Sequence, residues 1–294
     1  MDPISVVVRR GAVVEAVHRV HAVAVADGRV VEAAGDPGLV TYTRSSSKPI
    51  QALPLARARE DLDERDLAIA SASHTGGPEQ IDAVRRLLAK APAGADELEC
   101  GLQEGRPPER IYHNCSGKHA GMLALCRARH WLSAGYRLAD HPLERAMLAE
   151  HAEATGVAAD GIATAVDGCG VLTFGLRLEH IARAFSRLEA LDGGRRVASA
   201  MRAHAGLIGG PDSADVRLMR ALPGWAAKNG AEGLACAAGP GGIGIALKAE
   251  DGGPRALAPA LAAFLGRLGI DAEALADNPV PNSRGEVVGE VRAL

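Results

Sequence analysis

The chain predicts an α+β fold, with strands from both termini closing into one antiparallel sheet and helices filling the middle. Three observations carry this. Residues 4–34 are short, valine-rich apolar runs. Residues of roughly 45–230 are Ala- and Leu-rich with helical periodicity. After about residue 231 the texture returns to strands. No internal repeat or low-complexity linker interrupts the chain, so residues 1–294 read as one domain, with a sheet part of about 1–44 and 231–294 and a helical part of about 45–230.

The elements follow in order. Ile4–Arg9 and Ala22–Ala26 read as strands, and Asp27-Gly28 marks a hairpin turn into Arg29–Ala33. Residues 13–21 look like loop entering strand, so Glu15, His18 and His21 are expected as packing or capping groups. Thr41–Thr43 is a further short strand. Pro49 suits a first helical turn, and Pro54 is expected to break or kink the helix that follows. The clearest helices are Glu79–Lys90, Ala120–His130, Leu143–Thr155 and Leu178–Glu189. Leu234–Ala237, Gly242–Lys248 and Glu286–Arg292 read as strands, with a helix at Ala256–Leu268 between the last two.

Composition excludes several classes. The 33 basic and 36 acidic residues give a net charge of −3, which is no footprint for nucleic acid and too balanced for a membrane surface. No run of about 18 apolar residues predicts a spanning helix. The N-terminus lacks a basic region followed by an apolar one, so a cytoplasmic protein is expected. The odd count of 5 cysteines argues against a disulfide framework and leaves free thiols as metal ligands or buried hydrophobes.

Four motifs carry possible chemistry. Ser45-x-x-Lys48 places a hydroxyl and an amine on one face of a helix start. Lysine can activate serine if it is held neutral, and the plainer alternative is a serine-rich cap followed by a surface lysine. Ser73-His74, after the apolar Leu67–Ala70, offers a second hydroxyl for proton relay or a helix-terminal cap. Cys115-x-x-Lys118 and Cys169 lie in separate Gly-containing segments. Their thiolates suit zinc, with Cys/His the default ligand set and two buried free cysteines the plainer alternative. Lys248 follows the glycines 239–242, which lack the context of a phosphate loop, and reads as a strand lysine facing a nucleophile or solvent.

Taken in order, Arg44-Ser45-Ser46-Ser47-Lys48-Pro49, Ala72-Ser73-His74, Asn114-Cys115-Ser116-Gly117-Lys118-His119-Ala120-Gly121-Met122, Asp140-His141-Pro142, Asp167-Gly168-Cys169-Gly170 and Lys248 with Glu250-Asp251-Gly252 resemble the asparaginase II family, the Rhizobium-type (class 3) L-asparaginases. The resemblance implies a fold like that of serine β-lactamases and glutaminases. It implies hydrolysis of L-asparagine to L-aspartate and ammonia, with Ser45 as nucleophile, Lys48 as its base and Ser73 paired with Lys248. It also implies a Zn2+ site from Cys115, Lys118 and Cys169, and a homodimer. Arg44, His119 and Asp167 are expected around the substrate, the last two also near the metal. Val171-Leu172-Thr173, the 209–215 loop and Gly76-Gly77-Pro78 depart from the family pattern, which bears on substrate choice before catalysis. Two other readings compete: another small-molecule amidase of β-lactamase-like fold, and a non-catalytic zinc-binding or ligand-sensing module.

Overall fold

The computed structural model describes residues 1–294. Its strands are β1 (Ile4–Arg10), β2 (Val13–Ala26), β3 (Arg29–Ala34), β4 (Val40–Tyr42), β5 (Ala163–Val166) and β6 (Leu172–Arg177). The C-terminal ones are β7 (Ala226–Gly230), β8 (Leu234–Gly239), β9 (Ile243–Ala249), β10 (Pro279–Pro281) and β11 (Val287–Ala293). Helices and antiparallel sheet are mixed, as an α+β fold requires. The chain divides into two compact units.

The sheet unit comprises Met1–Thr41, Arg177–Ser186 and Asp212–Leu294. Its strands run in the order β10-β11-β1-β2-β9-β8-β7, with β3 also paired to β2. The first strands therefore sit between the last ones, and both termini are needed to build it. Asp27 and Gly28, both with positive φ (49° and 73°), make the tight turn between β2 and β3. The helix Leu178–Ser186 lies directly on β9: a Cβ at Gly244 would stand 2.1 Å from Ala182 O.

Residues 13–21 differ from expectation. They are strand, because β2 runs on to pair with the whole of β1 around a bulge at Val8/Arg9. The alternation there is polar as well as apolar, which hid the strand. Glu15 pairs with Arg10, His18 Nδ1 with Asp251 at 2.5 Å, and His21 Nε2 with Glu250 at 2.8 Å. These are packing roles. The segments 177–186 and 212–230, read from the sequence as helical middle, group with the sheet.

The helical unit comprises Tyr42–Leu176 and Arg187–Pro211. Lys48–Gln51 and Leu53–Ala58 are separate short helices, since Pro54 has no N–H to continue the first. The helix expected from Ala120 begins earlier, at Ser116, and ends at Ala128. His130, at φ 55°, lies beyond it in the left-handed region. Strands β5 and β6 form a hairpin that periodicity did not reveal. Their lengths of 4 and 6 residues are too short for a clear alternation.

Candidate active site

The site in the helical unit is built where three chain segments meet. The first is a 3-10 turn, Arg44–Ser47, running into the helix Lys48–Gln51. Three-residue spacing eclipses side chains in such a turn, so Ser45 and Lys48 share a face. The Lys48 N–H closes the turn on Ser45 O. Arg44 holds φ 47°, a conformation unfavourable for a residue with a Cβ, and it is fixed from both ends. Its N–H donates to Thr173 Oγ1 at 3.0 Å, and its Nε donates to Asp167 Oδ1 at 2.5 Å. Ser46 and Ser47 spend their hydroxyls on Thr43 O and Arg44 O. Ser45, half-buried, is tied to no such carbonyl.

The second segment follows the helix Glu64–Ala70. Ser73 N–H donates to Ile208 O, and His74 N–H to Asn114 O. Lys48 is fully buried and its amine donates to Ala72 O (2.5 Å) and to Ser73 Oγ (2.8 Å). The structure thus joins Lys48 to Ser73. Lys248, which the family resemblance pairs with Ser73, belongs to the sheet unit on β9, opposite His21 and Leu234. Burial lowers its pKa, and Glu232, Asp251 and Glu250 oppose that shift.

The third segment is Asn114–Met122, with Cys115 at the start of the helix Ser116–Ala128. Its glycines explain the close packing. A Cβ on Gly117 would meet Ile69 O at 2.2 Å, and one on Gly121 would meet Ala70 Cβ at 3.0 Å. The helix is therefore seated backbone-to-backbone against the end of Glu64–Ala70, which brings Asn114 and Cys115 to the Ser73-His74 segment. His74 Nε2 donates to Ser116 Oγ at 2.8 Å, because that hydroxyl already donates to Ile111 O. Burial, then the positive charges of Lys48 and Arg106, lower the His74 pKa to about 3, so the ring is neutral.

The β5–β6 hairpin supplies the remaining groups. Its turn is closed by Gly170 N–H on Asp167 O and by Asp167 N–H on Val171 O, with Gly170 at φ 91°. Cys169 is turned inward, and Lys118 Nζ donates to its Sγ at 3.0 Å. Cys115, Lys118 and Cys169 are all buried. The Cys115 pKa is lowered by the hydrogen bond from Cys169, against the cost of burial, and Lys48, His113 and Lys118 add to the shift. The Cys169 pKa is raised by the same bond and by burial. Burial pulls the Lys118 pKa down, but the two sulfurs and Asp167 outweigh it and the net direction is up. A buried amine donating to a sulfur whose own thiol points to Asp167 Oδ2 at 3.6 Å, with all three cluster members shifted in pKa, is the kind of arrangement found at functional sites.

No group of three or more His, Cys, Asp or Glu side chains is placed to hold a metal ion. The zinc site expected at Cys115 and Cys169 would therefore need the amine of Lys118 as its third donor. No helix is long and apolar enough to cross a membrane. A cavity of about 580 Å3 lies elsewhere in the unit, between the 53–58 and 194–203 helices. Its Arg57 and Arg196 are taken up by Glu150 and by the carbonyls of Ala56 and Leu62, a structural use rather than a chemical one.

The model of the L-asparaginase II family matches residues 6–293, nearly the entire chain. The chain belongs to the L-asparaginase II family. Among curated proteins no relative matches. Membership supports an amidohydrolase with a small-molecule substrate. For this family member, sequence reasoning overlooked three residues at or beside the site. Thr173, on β6, holds Arg44, although it stands in a segment that departs from the family pattern. Gln51, one turn after Lys48, buries an amide with no hydrogen-bond partner. Glu144 is fully buried, with one carboxylate oxygen on Leu172 N–H and the other unpartnered. Only the i+3 spacing of Gln51 from Lys48 was a signal.

Burial raises the Glu144 pKa to about 7, with Lys118 and the Leu172 N–H restraining the shift. An acid whose folded pKa is raised stabilises the fold below its unfolded pKa of about 4.5 and loses that stability as pH rises through about 7. The full difference is of order 3 kcal/mol. The new amide also needs a partner, a cost of about 1–2 kcal/mol at every pH, so Glu144→Gln should fall up to about 1 kcal/mol below the parent near pH 5 and exceed it by about 1–2 kcal/mol at pH 8.5. Urea unfolding at the two pH values checks this.

Proposed function

We propose that the chain hydrolyses L-asparagine to L-aspartate and ammonia, with Ser45 as nucleophile. The observation that carries this is the buried Lys48 amine, bonded to Ser73 Oγ and three residues after Ser45 in the same turn, in a chain of the L-asparaginase II family. Lys48 donates to Ala72 O and Ser73 Oγ, and once it has lost its positive charge its amine has a lone pair to offer. That lone pair accepts the Ser45 proton as Oγ attacks the side-chain amide carbon. The proton then passes through Ser73 to the departing nitrogen, ammonia leaves, and water cleaves the aspartyl ester on Ser45. Lys248 stays in the reading as a second proton carrier by family resemblance alone. The same resemblance suggests a serine β-lactamase-like architecture.

Arg44, paired with Asp167, presents a guanidinium beside the nucleophile for the substrate carboxylate, and Asp167 is the acceptor for the substrate ammonium. The Cys115, Lys118 and Cys169 set fits Zn2+ in donor chemistry, with two soft sulfurs and one nitrogen, provided the amine gives up its proton. Bound there, zinc would supply positive charge that orients the substrate. Ammonia release measured on L-asparagine, L-glutamine and small peptides, with and without added zinc, tests the reading. Turnover of asparagine well above glutamine is expected, and no release from asparagine sinks it.

A further inference from the structure

His119 sits on the helix Ser116–Ala128 one turn after Cys115, and its ring is completely buried. Helical side chains lean toward the N-terminus, so the ring lies over the Cys115 turn. Its Nδ1 is 2.6 Å from Tyr136 Oη. Its Nε2 is buried with no hydrogen-bond partner. The tautomer can be deduced from Tyr136. The Glu99 N–H donates to Tyr136 Oη at 2.8 Å, so the phenol has accepted one bond and its own proton needs an acceptor. The partner present is His119 Nδ1. The imidazole proton is therefore on Nε2.

Tyr136 is held for this contact. Between Trp131 and Asp140 it is the one buried residue of an otherwise accessible stretch. The Glu99 carboxylate accepts the N–H groups on either side of it, Gly135 at 2.6 Å and Arg137 at 3.5 Å. The turn that carries Cys169 abuts the same stretch: a Cβ on Gly170 would lie 3.2 Å from Arg137 Cδ and 3.9 Å from Glu99 O.

We propose that Tyr136 is a positioning residue that locks His119 as the Nε2–H tautomer, leaving a buried N–H donor at the Cys115 end of its helix to bind an oxygen of the substrate. A buried donor without a partner is costly, and a ligand oxygen relieves that cost. The identity of the ligand as asparagine rests on the asparaginase reading; the tautomer does not.

Nitrogen NMR of 15N-histidine-labelled protein reads the tautomer directly, with His119 assigned by its disappearance in His119→Gln. The intact protein should show a protonated Nε2 and an unprotonated Nδ1, and the reverse overturns the proposal without any variant. Tyr136→Phe should mix the two tautomers and raise KM about three- to tenfold with kcat within about twofold, the scale of one hydrogen bond. A folded Tyr136→Phe with mixed tautomers and unchanged KM overturns the donor role. His119→Gln keeps an amide N–H near the Nε2 position, so adding Tyr136→Phe to it should leave KM unmoved; a further rise points to a purely structural tyrosine. Should the parent release no ammonia, the asparaginase reading fails, and with it the substrate contact. The NMR result then still decides the tautomer lock.

Discussion

Ser45→Ala should lower kcat for ammonia release by at least about 10⁴-fold, the scale seen when an activated nucleophile is removed. The physical reason is specific to this position. Its neighbours Ser46 and Ser47 bond backbone carbonyls of their own turn, at 2.6 and 2.8 Å, and are structural. Alanine at either should cost only about 1 kcal/mol of stability and leave kcat near the parent's. Ser45 is the hydroxyl left for chemistry, following the strained φ of Arg44 in the turn that Lys48 N–H closes. The three single variants, compared by steady-state kinetics and thermal unfolding, separate the roles. Undiminished turnover in Ser45→Ala would remove the nucleophile assignment and leave Ser73 as the next hydroxyl to test.

Lys118→Met should weaken zinc binding by more than the 10–100-fold typical of losing a group that merely supports a ligand. Cys169→Ser should weaken it as well. In the absence of metal, Lys118 and Cys169 both have raised pKa values, while that of Cys115 is lowered. Lys118 and Cys169 therefore carry protons at pH 7 that zinc must displace. Affinity should accordingly rise with pH, by roughly tenfold per displaced proton for each pH unit, or roughly 100-fold for two. Titration calorimetry in buffers of different ionisation enthalpy counts the released protons. A proton count near zero, or full zinc content in Lys118→Met, excludes the amine as a ligand.

Much of this fold was legible in the amino-acid order. The valine run at Ile4–Arg10, the apolar run at Leu234–Gly239, the Asp27-Gly28 turn and the helices Pro78–Lys90 and Pro142–Thr155 follow from local rules of periodicity and turn chemistry. Their single antiparallel sheet follows from apolar strand faces that can be covered only by one another and by helices. The polar first half of β2 and the short β5–β6 hairpin were not legible, because pairing partners rather than local pattern decide such strands.

The site divides along the same line. Residue types and order by themselves singled out Ser45, Lys48, Ser73, Cys115, Lys118 and Cys169, and the family match spans all of them. Only the tertiary structure decided which groups meet. It joined Lys48 to Ser73, Arg44 to Asp167 and Lys118 to Cys169, across separations of 25, 123 and 51 residues. It also brought in Tyr136, Thr173 and Glu144, which belong to no motif. Hydrogen bonds and pKa values depend on distances of a few ångströms and on exclusion of water. Sequence order encodes neither until Gly117 and Gly121 let two helices close backbone against backbone.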